Sequence, residues 1–413
     1  MGDISGIFLA FILLFIIIFS PKLRSAPSSY KIIAFGFLIH LIIAAYNGFI
    51  GPTIGAGADA TTFYRAGAEI GALGRFQFSL GSGLYDNLLG VMFYLFDPSM
   101  FLACVLSVAA YVASLFPLMD ICKALKFEKF QKHIIAAYSF LPSMFLFGSI
   151  ALRESLQVCF CIFAISYFIK FYSHRKISYF LIAVSCSALM GLLHAGLLLF
   201  ALIMTVTVIL MNYNQSNKFL VYSKSKLYTY FLLIVVIGVI ISILPSLTSM
   251  GVVTTLIQGG DIADYTDTYR GNLVDLNPRS GYEIELDYSS PISFLMSIFK
   301  MILYYIAYPF PWKITAIIDI YACLEALWRC TLIYYSYKGW KMANGEIKKV
   351  LTLLIILYFA NASIWAMGTS NFGTGMRHNL THYWILTITG LPYLIISWRS
   401  FFNKYFFRVR SYL

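Results

Sequence analysis

Residues 4–50 read as two apolar runs around a basic turn: ISGIFLAFILLFIIIF (4–19), SPKLRSAPSSYK (20–31) and IIAFGFLIHLIIAAYNGFI (32–50). The runs hold 16 and 19 residues without a single Asp, Glu, Lys or Arg. That is close to the ~20 residues a helix needs to cross a hydrocarbon core of about 30 Å. Lys22, Arg24 and Lys31 fall in the turn, and short cytoplasmic loops are where basic residues collect. The first run has the length of a secretory h-region, but it lacks a basic leader and a small-residue cleavage site. It therefore reads as a retained first span.

The pattern continues along the chain. Of 413 residues, 60% are hydrophobic and 12% charged, and the mean hydropathy is +0.78. A soluble domain carries about 25% charged residues, so the expected exterior is lipid. The spans are expected at 4–20, 32–50, 89–118, 134–150, 155–171, 178–193, 195–211, 228–248, 314–335, 350–367 and 380–397. The fold class is then an all-α polytopic transmembrane bundle of about eleven spans, with 1–413 as a single membrane domain. A twelfth span arises only if 292–312 crosses. Its Lys300 and its terminal Pro309-Phe310-Pro311-Trp312 favour a re-entrant or interfacial segment instead. The seven cysteines lie mostly in apolar runs with no zinc-site spacing and read as small hydrophobes.

Charge sets the expected orientation. Alternate loops hold 21 of the 30 basic residues, from Lys22 to Arg410, with only Asp120, Glu128 and Glu346 among the acids. These loops are expected in the cytoplasm, with the N-terminus outside and the C-terminus inside. Spread over six short loops, the net charge of +12 points to anionic lipid and not to nucleic acid. The inner loops carry 16 Lys and 5 Arg, whereas the outer side is almost all Arg: Arg65, Arg75, Arg153, Arg270, Arg279 and Arg377. Guanidinium presents a rigid fork of donors that matches phosphate or carboxylate oxygens. Those arginines therefore either bind an anionic head group or pair with the outer acids Asp261, Asp264, Asp267, Asp275, Glu283, Glu285 and Asp287.

Four outer constellations carry candidate chemistry. Gly57-Ala58-Asp59-Ala60-Thr61-Thr62-Phe63-Tyr64-Arg65 opens an interfacial stretch within the outer loop 51–88, where Asp59 is a base or an N-cap. Arg153-Glu154 sits in a hairpin turn at the membrane edge, a costly place for charge. His194 marks the next outer turn, as a binding group or a satisfied polar residue. Gly368–His382 combines glycines with Arg377, His378 and His382. An imidazole there moves protons near neutral pH, and the i,i+4 histidines lack a third metal ligand. The long loop 249–291, rich in acids and tyrosines, reads as a lid. Glu325 and Arg329 are the exceptions that lie inside an expected span, at the i,i+4 register of a helix ion pair.

The tight outer hairpins, large outer loop and Arg-rich outer segments resemble the GT-C superfamily of lipid-sugar glycosyltransferases. Asp59-Ala60 with Phe63 and Tyr64, Leu152-Arg153-Glu154, Leu193-His194-Ala195-Gly196 and Pro309-Phe310-Pro311-Trp312 are similar, more narrowly, to the Wzy-type polymerases of O-antigen and polysaccharide repeat units. Arg270 followed by Gly281 fits the Arg-x10-Gly pattern of some of these polymerases. The resemblance implies transfer of an undecaprenyl-diphosphate-linked glycan to an acceptor hydroxyl on the periplasmic face of a bacterial inner membrane. On that reading Asp59, Glu154 or His378 is the base, and Arg65, Arg153, His194, Arg270, Arg279, Arg377 and His382 bind substrate. It implies as partners lipid-linked glycans, membrane lipid and a chain-length regulator protein. No redox or nucleotide cofactor is expected, since no phosphate loop follows a strand, and a divalent cation stays open. The alternatives are a GT-C transferase adding one sugar from a polyprenyl-phosphate donor, an O-antigen ligase and, in another class, a transporter of lipid-linked glycan or a small molecule.

Overall fold

A computed structural model describes residues 1–51, 57–77, 79–216, 280–282, 284, 286–287 and 289–406. Helices run through nearly all of them in the order α1 (Gly2–Phe19), α2 (Pro21–Arg24), α3 (Pro27–Phe49), α4 (Gly57–Leu73), α5 (Ser82–Phe96), α6 (Met100–Ala124), α7 (Gln131–Phe140) and α8 (Pro142–Phe147). There follow α9 (Glu154–His174), α10 (Ile177–Leu192), α11 (Ala195–Ser216), α12 (Pro291–Ala307), α13 (Ile317–Met342), α14 (Gly345–Met367), α15 (Phe372–Thr389) and α16 (Leu391–Phe406). Among the described residues there is no strand, only an antiparallel bridge between Gly281 and Asn371. Helix is the expected answer for apolar sequence in lipid, because each helix satisfies its own backbone hydrogen bonds.

Among the described residues, six stretches are long and apolar enough to cross a membrane: α1, α3, α6, α9, α14 and the run Phe372–Phe401. The helices at 177–192, 196–212 and 291–307 are apolar but shorter. The expectation of a span at 228–248 lies outside the described residues. Three other expected spans are not single helices. The 89–118 run breaks at Asp97-Pro98-Ser99, because Pro98 has no N–H to donate and the Ser99 hydroxyl accepts from Leu102 N–H at 3.0 Å, starting α6 afresh. The 134–150 run breaks before Pro142, which takes the first position of α8. The 380–397 run is divided at Gly390, between α15 and α16, where an added Cβ would lie 2.4 Å from the Leu332 carbonyl oxygen. Glycine there lets the chain cross α13 closely.

The segment expected to be re-entrant contains α12 and ends in a 3-10 turn at Pro311–Lys313. Ser297, Met301 and Tyr305 are buried on one face of α12, while Ile292, Leu295, Met296 and Phe299 are exposed on the other. The described end of the long loop is fastened down. Tyr282 N–H donates to the Ser370 carbonyl at 2.8 Å, and Phe372 N–H donates to the Ser280 carbonyl at 3.0 Å.

Two ends of the bundle differ in character. At one, Asp120 accepts from Lys22 at 2.5 Å and from Lys170 at 2.6 Å, joining α2, α6 and α9. Lys338 reaches Ser397, and Lys348 lies over Trp340. At the other, the Met1 amino group is 3.5 Å from Asp97, and α4, α9 and α15 begin together. Between the ends α15 stands at the centre, packed on α9, α13, α14 and α16, with every residue from His378 to Thr389 buried.

Candidate functional site

Three helix starts meet at the end opposite the lysine-rich loops. The Asn371 side chain caps α15, accepting from Thr374 N–H at 2.7 Å, and Arg377 projects from the second turn. Its Nη1 donates to Asp59 Oδ2, and its Nε lies 3.0 Å from Glu154 Oε1 without the alignment of a hydrogen bond. Asp59 is in the first turn of α4 and Glu154 in the first turn of α9, where helix dipoles favour anions. The two carboxylates differ in access: the Glu154 side chain is 2% exposed and that of Asp59 49%. Close packing of α4 on α5 holds Asp59 in place. A Cβ on Gly67 would meet Leu89 Cβ at 2.6 Å, and one on Gly90 would meet Ile70 at 2.4 Å.

Arg153, the N-cap of α9, adjoins this ion triad. Its Nη1 donates to the Leu193 carbonyl at 3.2 Å, its guanidinium lies 5.9 Å from the Phe63 ring centre, and its Nε has no partner. Among the described residues no carboxylate forms an ion pair with Arg153. His194 follows in the α10–α11 turn, and its Nδ1 accepts from Gly196 N–H at 3.2 Å, which places the ring proton on Nε2. Burial, then the Arg153 and Arg377 charges, push the His194 imidazole down to about 3. It is neutral at pH 7 and offers a hydrogen bond, not a charge. His378 stacks on Trp365 at 3.7 Å, lies 6.1 Å from His194, and contacts Thr369 Oγ1 through Nδ1 at 3.2 Å.

Thus Asp59, Arg153, Glu154, His194, Arg377 and His378 come together from four segments of sequence. His382 does not join them. One turn further along α15 it is fully buried, 5.1 Å from Tyr358 and 6.0 Å from Tyr305. Arg65 is exposed on α4 and makes no contact with the triad. Arg270 and Arg279 lie outside the described residues, as do the outer acids Asp261, Asp264, Asp267, Asp275, Glu283 and Glu285, while Asp287 is described and accepts from Ser289 N–H at 2.9 Å. Among the described residues no three His, Cys, Asp or Glu side chains converge as metal ligands. The Glu325–Arg329 pairing expected from register also differs. Glu325 Oε1 accepts from Ser143 N–H at 2.8 Å, and Arg329 Nε donates to the Ile306 carbonyl at 3.0 Å. Each finds a backbone partner on another element.

Asp86 is the member that sequence reading passed over. It sits in α5, a 15-residue helix. Burial raises its carboxyl to about 6, with Arg153 pulling the other way. Its Oδ1 is buried without a partner, as are Tyr85 Oη, Glu154 Oε2 and both amide atoms of Gln157. Unsatisfied polar atoms cost about 1–3 kcal/mol each, so several together suit a hydroxyl-rich ligand. The only sequence signal was a Tyr85-Asp86-Asn87 polar step on an amphipathic stretch.

The Asp86 shift predicts a pH dependence. Folding raises this carboxyl above 3.8, so its ionised form opposes folding, and the opposition grows from about pH 4 to about pH 6. The melting temperature of Asp86→Asn relative to the parent should rise over that interval and level off above it. A difference flat with pH would remove Asp86 from the buried site.

Fold and site together define a helical membrane protein with a charged cluster at one end of its bundle. No family model, curated protein or solved structure matches the chain.

Proposed function

We propose that the chain is a glycosyltransferase that polymerises undecaprenyl-diphosphate-linked oligosaccharide repeat units at the periplasmic face of a bacterial inner membrane. The observation that carries this reading is the convergence of Arg377, Asp59, Glu154 and Arg153 at the end away from the lysine-rich loops. Positive-inside bias favours the periplasm for that end, which on this reading is where lipid-linked repeat units are joined.

The chemistry asks for charge neutralisation and alignment, because the diphosphate is already a good leaving group. Arg153, with no carboxylate of its own, is the first anchor for phosphate oxygens. Arg377 is held from below by buried Glu154, while Asp59 on its open side is the carboxylate a diphosphate displaces. Displacement leaves Asp59 beside the acceptor hydroxyl. Asp59 and Asp86 are the reachable bases, whereas Glu154 is buried and His378 is packed on Trp365. In the transfer, the acceptor oxygen bonds to the anomeric carbon, the bond to the diphosphate oxygen breaks, and the base takes the hydroxyl proton. His194 Nε2–H supplies a neutral donor.

The test is product length. Full-length protein in vesicles, given undecaprenyl-diphosphate oligosaccharide, should yield a ladder of glycans on the lipid carrier. A single added sugar from a polyprenyl-phosphate donor would favour the one-step transferase, and transfer to a lipid A core would favour the ligase. Movement of intact substrate across the bilayer without new bonds would favour a transporter, for which buried Glu325 and Arg329 are the natural pathway residues.

A further inference from the structure

The other end of the bundle carries a second candidate site, independent of the catalytic reading. Between the last three turns of α13 and the first half of α14, floored by Leu386 of α15, lies a cavity of about 470 Å³. Its walls are apolar, and the indole and hydroxyl groups of Trp340, Thr352 and Ser336 in them are already satisfied, whereas Tyr358 Oη is buried without a partner. Trp340 Nε1–H donates to Thr352 Oγ1 at 2.9 Å, and Thr352 donates to the Lys348 carbonyl at 2.8 Å. Tyr337, Ile356 and Phe359 on its rim are exposed. A dry slot of this kind, opening toward the lipid side of the helices, is suited to a hydrocarbon chain.

Charge at its mouth specifies the head group. Lys341 Nζ lies 4.7 Å above the Tyr337 ring and Lys348 Nζ 4.7 Å above the Trp340 ring, and both rings form the cavity wall. Neither lysine forms an ion pair with a carboxylate among the described residues. Nearby Lys349, by contrast, is matched by Glu346 at 2.7 Å. Two unmatched cations at the end of an apolar slot complement a phosphate attached to an acyl chain. The cavity opens at the lysine-rich end, away from Arg377, so the head of a substrate held at the ion triad does not reach it.

We propose that this cavity is a specific site for an anionic glycerophospholipid, with an acyl chain between α13 and α14 and its phosphate between Lys341 and Lys348. The site differs from ordinary lipid contact in selecting for head-group charge and in retaining its lipid through purification.

The full chain, delipidated in detergent, is titrated with phosphatidylglycerol or phosphatidylcholine of identical acyl chains, and bound lipid is read by native mass spectrometry. One phosphatidylglycerol should be retained in preference to phosphatidylcholine. Each membrane-surface lysine contributes about 1 kcal/mol toward anionic lipid, so Lys341→Gln with Lys348→Gln should weaken retention about thirtyfold. Ile356→Trp, at an exposed rim position that leaves the core untouched, should block the slot and reduce retention of either lipid. Equal retention of the two lipids by the parent, or retention unchanged in both variants, would overturn the proposal. So would undecaprenyl phosphate displacing phosphatidylglycerol at equal concentration, because the slot would then belong to the isoprenoid carrier.

Discussion

Replacing Arg153 with Ala should lower polymer formation by about 10²–10³-fold, the usual effect of deleting one preorganised donor to a developing anion. The protein should remain folded. Arg153 gives up one hydrogen bond, to the Leu193 carbonyl, worth about 0.5–1.5 kcal/mol. It also loses its position near the Phe63 ring, and no carboxylate is left without a partner. Lysine should restore little, because a point charge cannot grip two phosphate oxygens as a planar fork does. Chain-length distributions from membranes with equal amounts of parent and Arg153→Ala protein decide the matter. Normal ladders from Arg153→Ala would take the residue out of the site.

Arg377 is expected to behave differently, because on the proposed reading it is structural and functional at once. Arg377→Ala would strand Glu154, whose side chain is 2% exposed, and breaking a buried ion pair from one side costs about 3–5 kcal/mol. Loss of protein from the membrane is therefore the first expected result, and by itself it says nothing about catalysis. Adding Glu154→Gln removes the stranded charge, so the double variant should recover its level in the membrane and yet make no polymer. A double variant that polymerises would reduce Arg377 to a counterion for Glu154. A double variant that stays unfolded while Glu154→Gln alone folds would show that Arg377 supports the bundle through Asp59 instead.

The contrast between these two arginines was not legible in the sequence. Both were visible as outer guanidinium groups with two possible partners, phosphate or acid. Asp59 and Arg377 are 318 positions apart, and nothing local to either marks them as a pair. The acids first suggested as partners, from Asp261 to Asp287, belong to the long loop, while the partners found are two of the proposed bases. Asp86 escaped notice for a related reason. A half-buried acid on a short amphipathic helix looks like an exposed one until the helices packed against it are known. The long apolar runs were easy to see because bilayer thickness imposes a length that few soluble helices match. The breaks at Pro98 and Pro142 were harder, since a hydropathy window averages across a proline that ends a helix without altering its apolar character. The Glu325–Arg329 register was read correctly as geometry. Its outcome turned on the Ser143 N–H and the Ile306 carbonyl, groups that any residue could supply.

The helix at the centre of the bundle is made after most of the helices it packs against. By the time the ribosome reaches residue 372, α9, α13 and α14, three of the four helices that α15 packs on, have been synthesised and have nothing to close around. Their inward polar groups must wait, and Glu154 must wait for Arg377. A nascent chain in this state depends on the insertion machinery or on neighbouring lipid for shelter. A message truncated before that point should leave a product that is threaded through the membrane but unpacked, open to quality-control proteolysis however many spans it has completed.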